Sequence, residues 1–172
     1  MRGTAVALAM TYLRLPVEGG ADPGQMARQV FGSPDWRKAH PGRVLDLAGN
    51  WQGLHYLITG DPWEGRSPEA DIVCGGRLLT ENGTEALGFD IIFLSPERVK
   101  IAADHLADTP FPSRRFDLAA MAMADVQGVS SWTDAARDNL FKPSYHTLGR
   151  FFADAAAHGE AIFKTMGSAS RP

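Results

Sequence analysis

The side chain best suited to chemistry in this sequence is His55. It lies in the segment 46–60, DLAGNWQGLHYLITG, on the same predicted helix face as a set of apolar residues: Leu47, Trp51, Leu54 and Ile58. An imidazole can act as a general base near neutral pH or bind a ligand through its ring nitrogens. A histidine on an apolar helix face is more often a core residue with hydrogen-bonded nitrogens, because an unpaired buried polar group costs about 1 to 3 kcal/mol. The sequence therefore leaves a structural, a binding and a catalytic interpretation of His55 open.

A second candidate arrangement would combine three residues that lie far apart in the sequence: Cys74, His55 and Asp46. A neighbouring base and an orienting acid could in principle activate a cysteine thiolate as a nucleophile. The five histidines show no HxH or HExxH spacing and Cys74 has no CxxC partner, so no metal site is predicted. The pair Gly75-Gly76 lacks the GxGxxG pattern of a dinucleotide site and is typical of a tight turn, so no cofactor is predicted.

The segment that follows the central helix contains an isolated tryptophan, Trp63. Residues 61–71, DPWEGRSPEAD, carry two prolines, a glycine and four acidic residues, which together predict a surface loop. The Trp63 indole could pack over the body of the protein and pin this loop. It could also serve as a lid or as the anchor of a binding surface, because tryptophan is enriched at binding hot spots.

These candidates have to be positioned by the predicted helix over 46–60. Asp46 can cap its start by accepting a backbone N–H bond, and Gly60 supplies the left-handed residue that ends many helices. Trp51 lies in the middle of the apolar stripe, which predicts that it is buried between the helix and a sheet. An internal glycine such as Gly53 costs roughly 0.5 to 1 kcal/mol relative to alanine, so tertiary packing must stabilise this helix.

The helix also carries a family resemblance. The combination of Asp46, Trp51, Leu54-His55 and Thr59-Gly60 resembles the signature helix of the YfbM-like family, small bacterial proteins that carry a domain of unknown function. The resemblance extends over nearly the whole chain, through four further stretches: Gly75-Gly76, 89–99, Arg115-Phe116-Asp117 and 148–163. The sequence departs from the pattern at Ala48-Gly49, where an acidic-basic pair is expected, and at Gly53. The resemblance implies a fold, but it implies no assigned activity and no catalytic residues.

The pattern of the chain predicts an α+β fold, a single domain over 1–166 in which helices pack against a mixed or antiparallel sheet. A buried first strand is predicted over 4–13, and a last strand over 161–166. Asn82-Gly83 predicts a hairpin turn between two antiparallel strands. The small, polar tail 167–172 is predicted to fray. Helix starts are predicted at three capping sequences: Asp22-Pro23, Ser95-Pro96 and 131–134.

Composition narrows the class of protein. The chain has 172 residues, of which 44% are hydrophobic and 22% charged, as in an ordinary soluble domain. The net charge of -3 argues against a nucleic-acid partner, because nucleic-acid-binding domains usually carry a basic patch. No apolar run reaches the roughly 18 residues that span a membrane. The single cysteine cannot form an internal disulfide, so a cytoplasmic location is expected.

Two functional hypotheses follow. The favoured one is a non-catalytic cytosolic binding or interaction protein with an unknown protein or small-molecule partner, in which Trp63, His55 and Asp46 are candidate binding residues. The structural signature of the central helix is then Trp51, Leu54 and Gly60. The alternative is a small hydrolase or transferase that uses His55 as general base in a cleft beside the Trp63 loop. A His55 ring enclosed between helix and sheet would favour the first hypothesis, and a His55 ring exposed in a polar pocket would favour the second.

Overall fold

The structure, a computed structural model, describes residues 8–79 and 90–168. Its strands, in chain order, are β1 (Leu8–Pro16), β2 (Val44–Leu47), β3 (Arg77–Leu78), β4 (Ile91–Leu94) and β5 (Glu160–Ser168). They form one sheet in the order β2-β1-β5-β4-β3, and each neighbouring pair is antiparallel. The predicted α+β class is confirmed, and the sheet is antiparallel rather than mixed.

The two long strands at the centre of the sheet bury side chains on both faces. On one face, Met10 and Tyr12 of β1 and Ile162 of β5 belong to the larger hydrophobic cluster. On the other face, Leu13 of β1 and Phe163 of β5 belong to a smaller cluster. Since successive side chains of a strand point to opposite faces, this arrangement explains why β1 is apolar at most positions and why β5 has three apolar residues in succession at 161–163.

Helices cover both faces of the sheet. In chain order they are α1 (Pro23–Phe31), α2 (Trp36–Ala39), α3 (Trp51–Thr59), α4 (Glu69–Ile72), α5 (Pro96–Asp108), α6 (Leu118–Met123) and α7 (Lys142–Ala157). Buried residues of α3, α5 and α7 fill the larger cluster, whereas α1 packs on the smaller one through Ala27. The predicted caps are confirmed at two helix starts, where Asp22 accepts from the backbone N–H of Gly24 and Ser95 from that of Arg98.

The helix that carries His55 is shorter than the sequence predicts. It begins at Trp51 and not at Asp46, because residues 44–47 form β2, in which Leu47 pairs with Met10. Asp46 is therefore not a helix cap, and its carboxylate accepts a hydrogen bond of 2.6 Å from the hydroxyl of Thr11. The predicted helix end is confirmed, since Gly60 has a left-handed φ of 85°.

Several other segments differ from the prediction in detail. A short helix, α2, forms in a segment for which no helix is predicted, and the segment after Ser131 forms a π-helical turn, Arg137–Phe141, that leads into α7. The last strand extends to Ser168, two residues beyond the predicted end of the domain at 166. Strands β3 and β4 pair as the predicted hairpin requires, whereas Asn82-Gly83, residues 4–7 and residues 169–172 lie outside the described residues.

Candidate functional site

The imidazole of His55 is enclosed between α3 and the loop that follows it. The residue is 0% exposed, and its Nε2 lies 2.9 Å from the backbone carbonyl oxygen of Glu64. Burial lowers the pKa of His55 from its ordinary value of 6.5, and the positive charge of Lys164 lowers it further. The ring is therefore neutral at neutral pH, and its Nε2–H is the donor to the carbonyl of Glu64.

Trp63 combines a packed face with an exposed face. Its ring centroid lies 5.6 Å from that of Trp51, at an interplanar angle of 60°, while 51% of the residue remains exposed. Trp51 itself is 1% exposed and donates its indole N–H to the carbonyl of Leu8 on β1, at 3.0 Å. The prediction that Trp51 is buried between helix and sheet is thus confirmed. The sequence left two roles open for Trp63, and its indole both packs on the protein body and faces solvent.

The backbone around Trp63 is held by hydrogen bonds from the loop itself. The carboxylate of Asp61 accepts from the backbone N–H groups of Trp63 and Glu64, each at 2.8 Å, and these bonds lower the pKa of Asp61. The hydroxyl of Thr59 lies 2.8 Å from the carbonyl of His55 and accepts the N–H of Asp61 at 3.1 Å. Together with the bond from His55 to Glu64, these contacts fix the loop to the end of α3.

A buried lysine lies close to α3, on the face of the sheet that carries the larger hydrophobic cluster. Lys164 of β5 is 0% exposed, and its ammonium group donates to the backbone carbonyls of Asp71 and of Gly75, the latter at 2.7 Å. Its Nζ also lies 5.8 Å from the centre of the Tyr12 ring, a cation–π geometry. Burial lowers the pKa of Lys164 from 10.5 to about 7.

The turn that accepts these bonds is supported by an ion pair at the rim of the core. The carboxylate of Asp71, 3% exposed, accepts a bidentate interaction from the guanidinium of Arg98 and a hydrogen bond of 3.0 Å from Ser67. Gly75 is required in this turn, because a Cβ there would lie 2.6 Å from the carbonyl oxygen of Ala70. The Gly75-Gly76 pair thus serves a close backbone approach, as the predicted tight turn requires.

The structure brings only part of the candidate set together. His55 and Trp63 lie close together, on α3 and on the loop that follows it. Asp46 lies on the opposite side of the sheet from α3, because its side chain shares a face with Thr11 and the neighbouring Leu47 points to the face that α3 covers. Burial raises the pKa of Cys74 to about 11, so the residue is a protonated thiol at neutral pH and not an activated nucleophile. The arrangement of Cys74, His55 and Asp46 that a nucleophilic mechanism requires is therefore not present.

Two polar residues of this region were not identified from the sequence. Lys164 follows three apolar residues in the strand segment AIFKTM, and its place on the face of Ile162 is the signal that could have identified it as buried. Gln52 is 1% exposed, and its Oε1 accepts the backbone N–H of Gln127 at 2.7 Å. Its sequence context, WQG, gives no sign that the amide is buried. Gln52 is buried because α3 is enclosed on nearly every side.

Residues 8–79 and 90–168 contain no group of three or more His, Cys, Asp or Glu side chains that could hold a metal ion. Within the same residues, no helix is both long and apolar enough to cross a membrane.

The sequence profile of a protein family, "Domain of unknown function (DUF1877)", matches residues 21–165. The chain belongs to this family. The match covers the segments that form α3, the Trp63 loop and residues 160–165 of β5, so the candidate site lies within the family domain. No curated protein matches the sequence significantly.

The DUF1877 fold is also found in a solved structure, "The Crystal Structure of a Protein of Unknown Function YfbM from Escherichia coli". The two structures superpose with a TM-score of 0.64 over 92% of this chain and 99% of that chain, at 13% sequence identity. At this identity the similarity shows the fold alone. The YfbM-like resemblance of the sequence is thereby confirmed.

Proposed function

We propose that this DUF1877 protein is a non-catalytic binding protein of the cytosol, and that Trp63 anchors its contact with a protein partner. The observation that carries the proposal is the half-exposed indole held over buried Trp51 on a hydrogen-bonded loop. A large aromatic side chain whose backbone is already fixed loses little conformational freedom on binding, which is the property of a hot-spot anchor.

The residues around Trp63 suggest the chemistry of the partner. Asp61 and Glu64 flank the indole and are exposed, and Arg66 is the exposed basic residue of the same loop. A partner with an apolar cleft bordered by lysine or arginine side chains would accept the indole and neutralise the two carboxylates. This partner class also agrees with the net charge of -3, which disfavours nucleic acid.

The enzymatic alternative gives His55 the role of general base in a small hydrolase or transferase. A general base must come within hydrogen-bonding reach of the proton that it removes. His55 is 0% exposed and its Nε2–H is engaged by the carbonyl of Glu64, so a substrate would reach the ring only after the Trp63 loop had moved. The enclosed ring favours the binding hypothesis, as does the protonated thiol of Cys74.

A photo-crosslinking amino acid at position 63 tests the proposal in the cells that produce the protein. Ile101, which is 56% exposed on α5, provides the matched control position. We expect a discrete protein adduct from position 63 and none from position 101. The purified partner should then lose about 30-fold or more in affinity for Trp63→Ala, the loss typical of a hot-spot residue, and little for Ile101→Ala. An equal adduct pattern at both positions, or an unchanged affinity of Trp63→Ala, would reject Trp63 as the anchor.

A further inference from the structure

Two buried polar atoms of α3 lack a hydrogen-bond partner among the described residues. They are Nε2 of Gln52 and Nδ1 of His55, and both residues are at most 1% exposed. Buried polar side-chain atoms in native proteins usually have a partner, either a protein group or an ordered water molecule, so two such atoms on one helix require an explanation.

The hydrogen bonds made by Oε1 of Gln52 and Nε2 of His55 show whether each unpaired atom is a donor or an acceptor. The backbone N–H of Gln127 is a donor, so the amide of Gln52 must place its oxygen there and leave its NH₂ group unpaired. The carbonyl of Glu64 is an acceptor, so Nε2 of His55 carries the proton and Nδ1 of the neutral ring retains a lone pair. The two atoms are thus a donor and an acceptor.

The geometry of a helix allows one small molecule to bridge side chains at positions 52 and 55. Residues three apart on a helix have Cβ atoms about 5 to 6 Å from each other, and both side chains lean toward the helix N-terminus. Two hydrogen bonds of about 2.9 Å to one oxygen atom span about 4.5 to 5.5 Å. We propose that one buried water molecule accepts a hydrogen bond from Nε2 of Gln52 and donates one to Nδ1 of His55.

This water would complete a chain of hydrogen bonds that runs in one direction. The N–H of Gln127 donates to Gln52, Gln52 donates to the water, the water donates to His55, and His55 donates to the carbonyl of Glu64. Hydrogen bonds aligned in this way polarise one another and strengthen the whole chain. The chain connects the loop before Gly128 to the Trp63 loop across α3, whether or not Trp63 binds a partner.

A high-resolution crystal structure of the full chain provides the direct test. We expect an isolated density peak within about 2.6 to 3.2 Å of both Nε2 of Gln52 and Nδ1 of His55. A peak bonded to only one of these atoms, a protein group paired with either atom, or no peak would overturn the proposal.

Nitrogen-15 NMR of labelled histidine provides a second test in solution. Gln52→Met removes the amide donor that holds the water but keeps the side-chain length, so the Nδ1 resonance of His55 should move downfield as its lone pair loses a hydrogen bond. Gln127→Ala is the matched control, because the side chain of Gln127 is exposed and the variant keeps the backbone N–H donor. An Nδ1 resonance that is the same in wild type and Gln52→Met would reject the bridge. If Gln52→Met does not fold, the crystal structure of the wild type still decides the question.

Discussion

The buried amine of Lys164 should make the stability of the fold rise with pH above neutrality. Its pKa is about 7 in the folded protein and 10.5 in an exposed lysine. Between these two values the unfolded chain binds a proton that the folded chain has released, so the free energy of unfolding increases with pH. Below pH 7 Lys164 is protonated in both the folded and the unfolded chain, so the buried charge lowers the free energy of unfolding by its full amount.

The size of this effect follows from the two pKa values. The difference of 3.5 units, from 10.5 to about 7, corresponds to about 5 kcal/mol over the whole window, at about 1.4 kcal/mol per unit. Integration from pH 7 to pH 9 alone gives a gain of about 2 kcal/mol. Cys74 acts in the opposite direction, because its pKa rises from 9.0 to about 11 on folding, but it removes less than about 0.5 kcal/mol in this interval.

The environment of Lys164 explains why the amine loses its proton so readily. The charged or titratable groups near it are the Cys74 thiol, the Asp71–Arg98 ion pair, the Tyr12 phenol and the neutral His55 ring. Arg98 pairs with Asp71, so this carboxylate compensates the ammonium charge only in part. The two carbonyls that accept from Nζ can be satisfied by the two hydrogens of a neutral amine.

Urea denaturation at a series of pH values from 7 to 9 measures the effect, with Lys164→Met as the variant. Methionine keeps the linear side chain and removes the titrating group, so the wild type should gain about 2 kcal/mol relative to the variant across this interval. Lys100→Met is the control, because Lys100 is an exposed residue of α5 whose ammonium pairs only with Asp104 in the described structure. Parallel stability curves for wild type and Lys164→Met would refute the low pKa of the buried amine.

Three further substitutions test the packing of α3. Trp51→Ala should lower the free energy of unfolding by about 3 to 5 kcal/mol, because the indole is buried, and a loss below about 1 kcal/mol in urea would contradict its place in the core. The pKa of His55 should be below 6.5 by NMR titration, so stability should fall as pH decreases from 6.5 toward the folded value. His55→Gln should abolish that fall and cost modest stability, and a pKa at or above 6.5 would reject the structural role. Gly53→Ala should cost about 1 to 3 kcal/mol by denaturation, because its Cβ would lie 2.8 Å from the Phe141 ring. Gly149→Ala in α7, where the Cβ meets no atom within 4 Å, should not destabilise the protein.

Much of the fold follows from local signals in the sequence. The caps at Asp22 and Ser95 define helix starts because their side chains replace missing backbone partners, which is a purely local interaction. The end of α3 is also set by a local signal, because Gly60 readily adopts the left-handed backbone conformation. The glycine at position 53 looked unfavourable for a helix, and only the tertiary contacts with Phe141 and Trp132 show why it is required.

The start of α3 shows where local reasoning fails. Leu47, Trp51, Leu54 and Ile58 all reach the same hydrophobic cluster, so the predicted apolar set is correct. Leu47 reaches it from a strand, however, because pairing with Met10 on β1 determines the backbone of residues 44–47. Helical spacing that extends over a strand–turn–helix boundary gives the same apolar pattern as a longer helix, and only the distant strand distinguishes the two.

The chemistry of the site follows from burial more than from residue type. Lys164 and Gln52 belong to types that are usually exposed, and both are at most 1% exposed because the elements around them cover them completely. Cys74 and Asp46 are candidates in the sequence because of their residue types. Cys74 is a protonated thiol, and the carboxylate of Asp46 lies on the face of the sheet opposite to α3. In this fold the side chains of Lys164 and His55 are buried because they hold the turn at Gly75 and the Trp63 loop against the core, through hydrogen bonds to the backbone carbonyls of Asp71, Gly75 and Glu64.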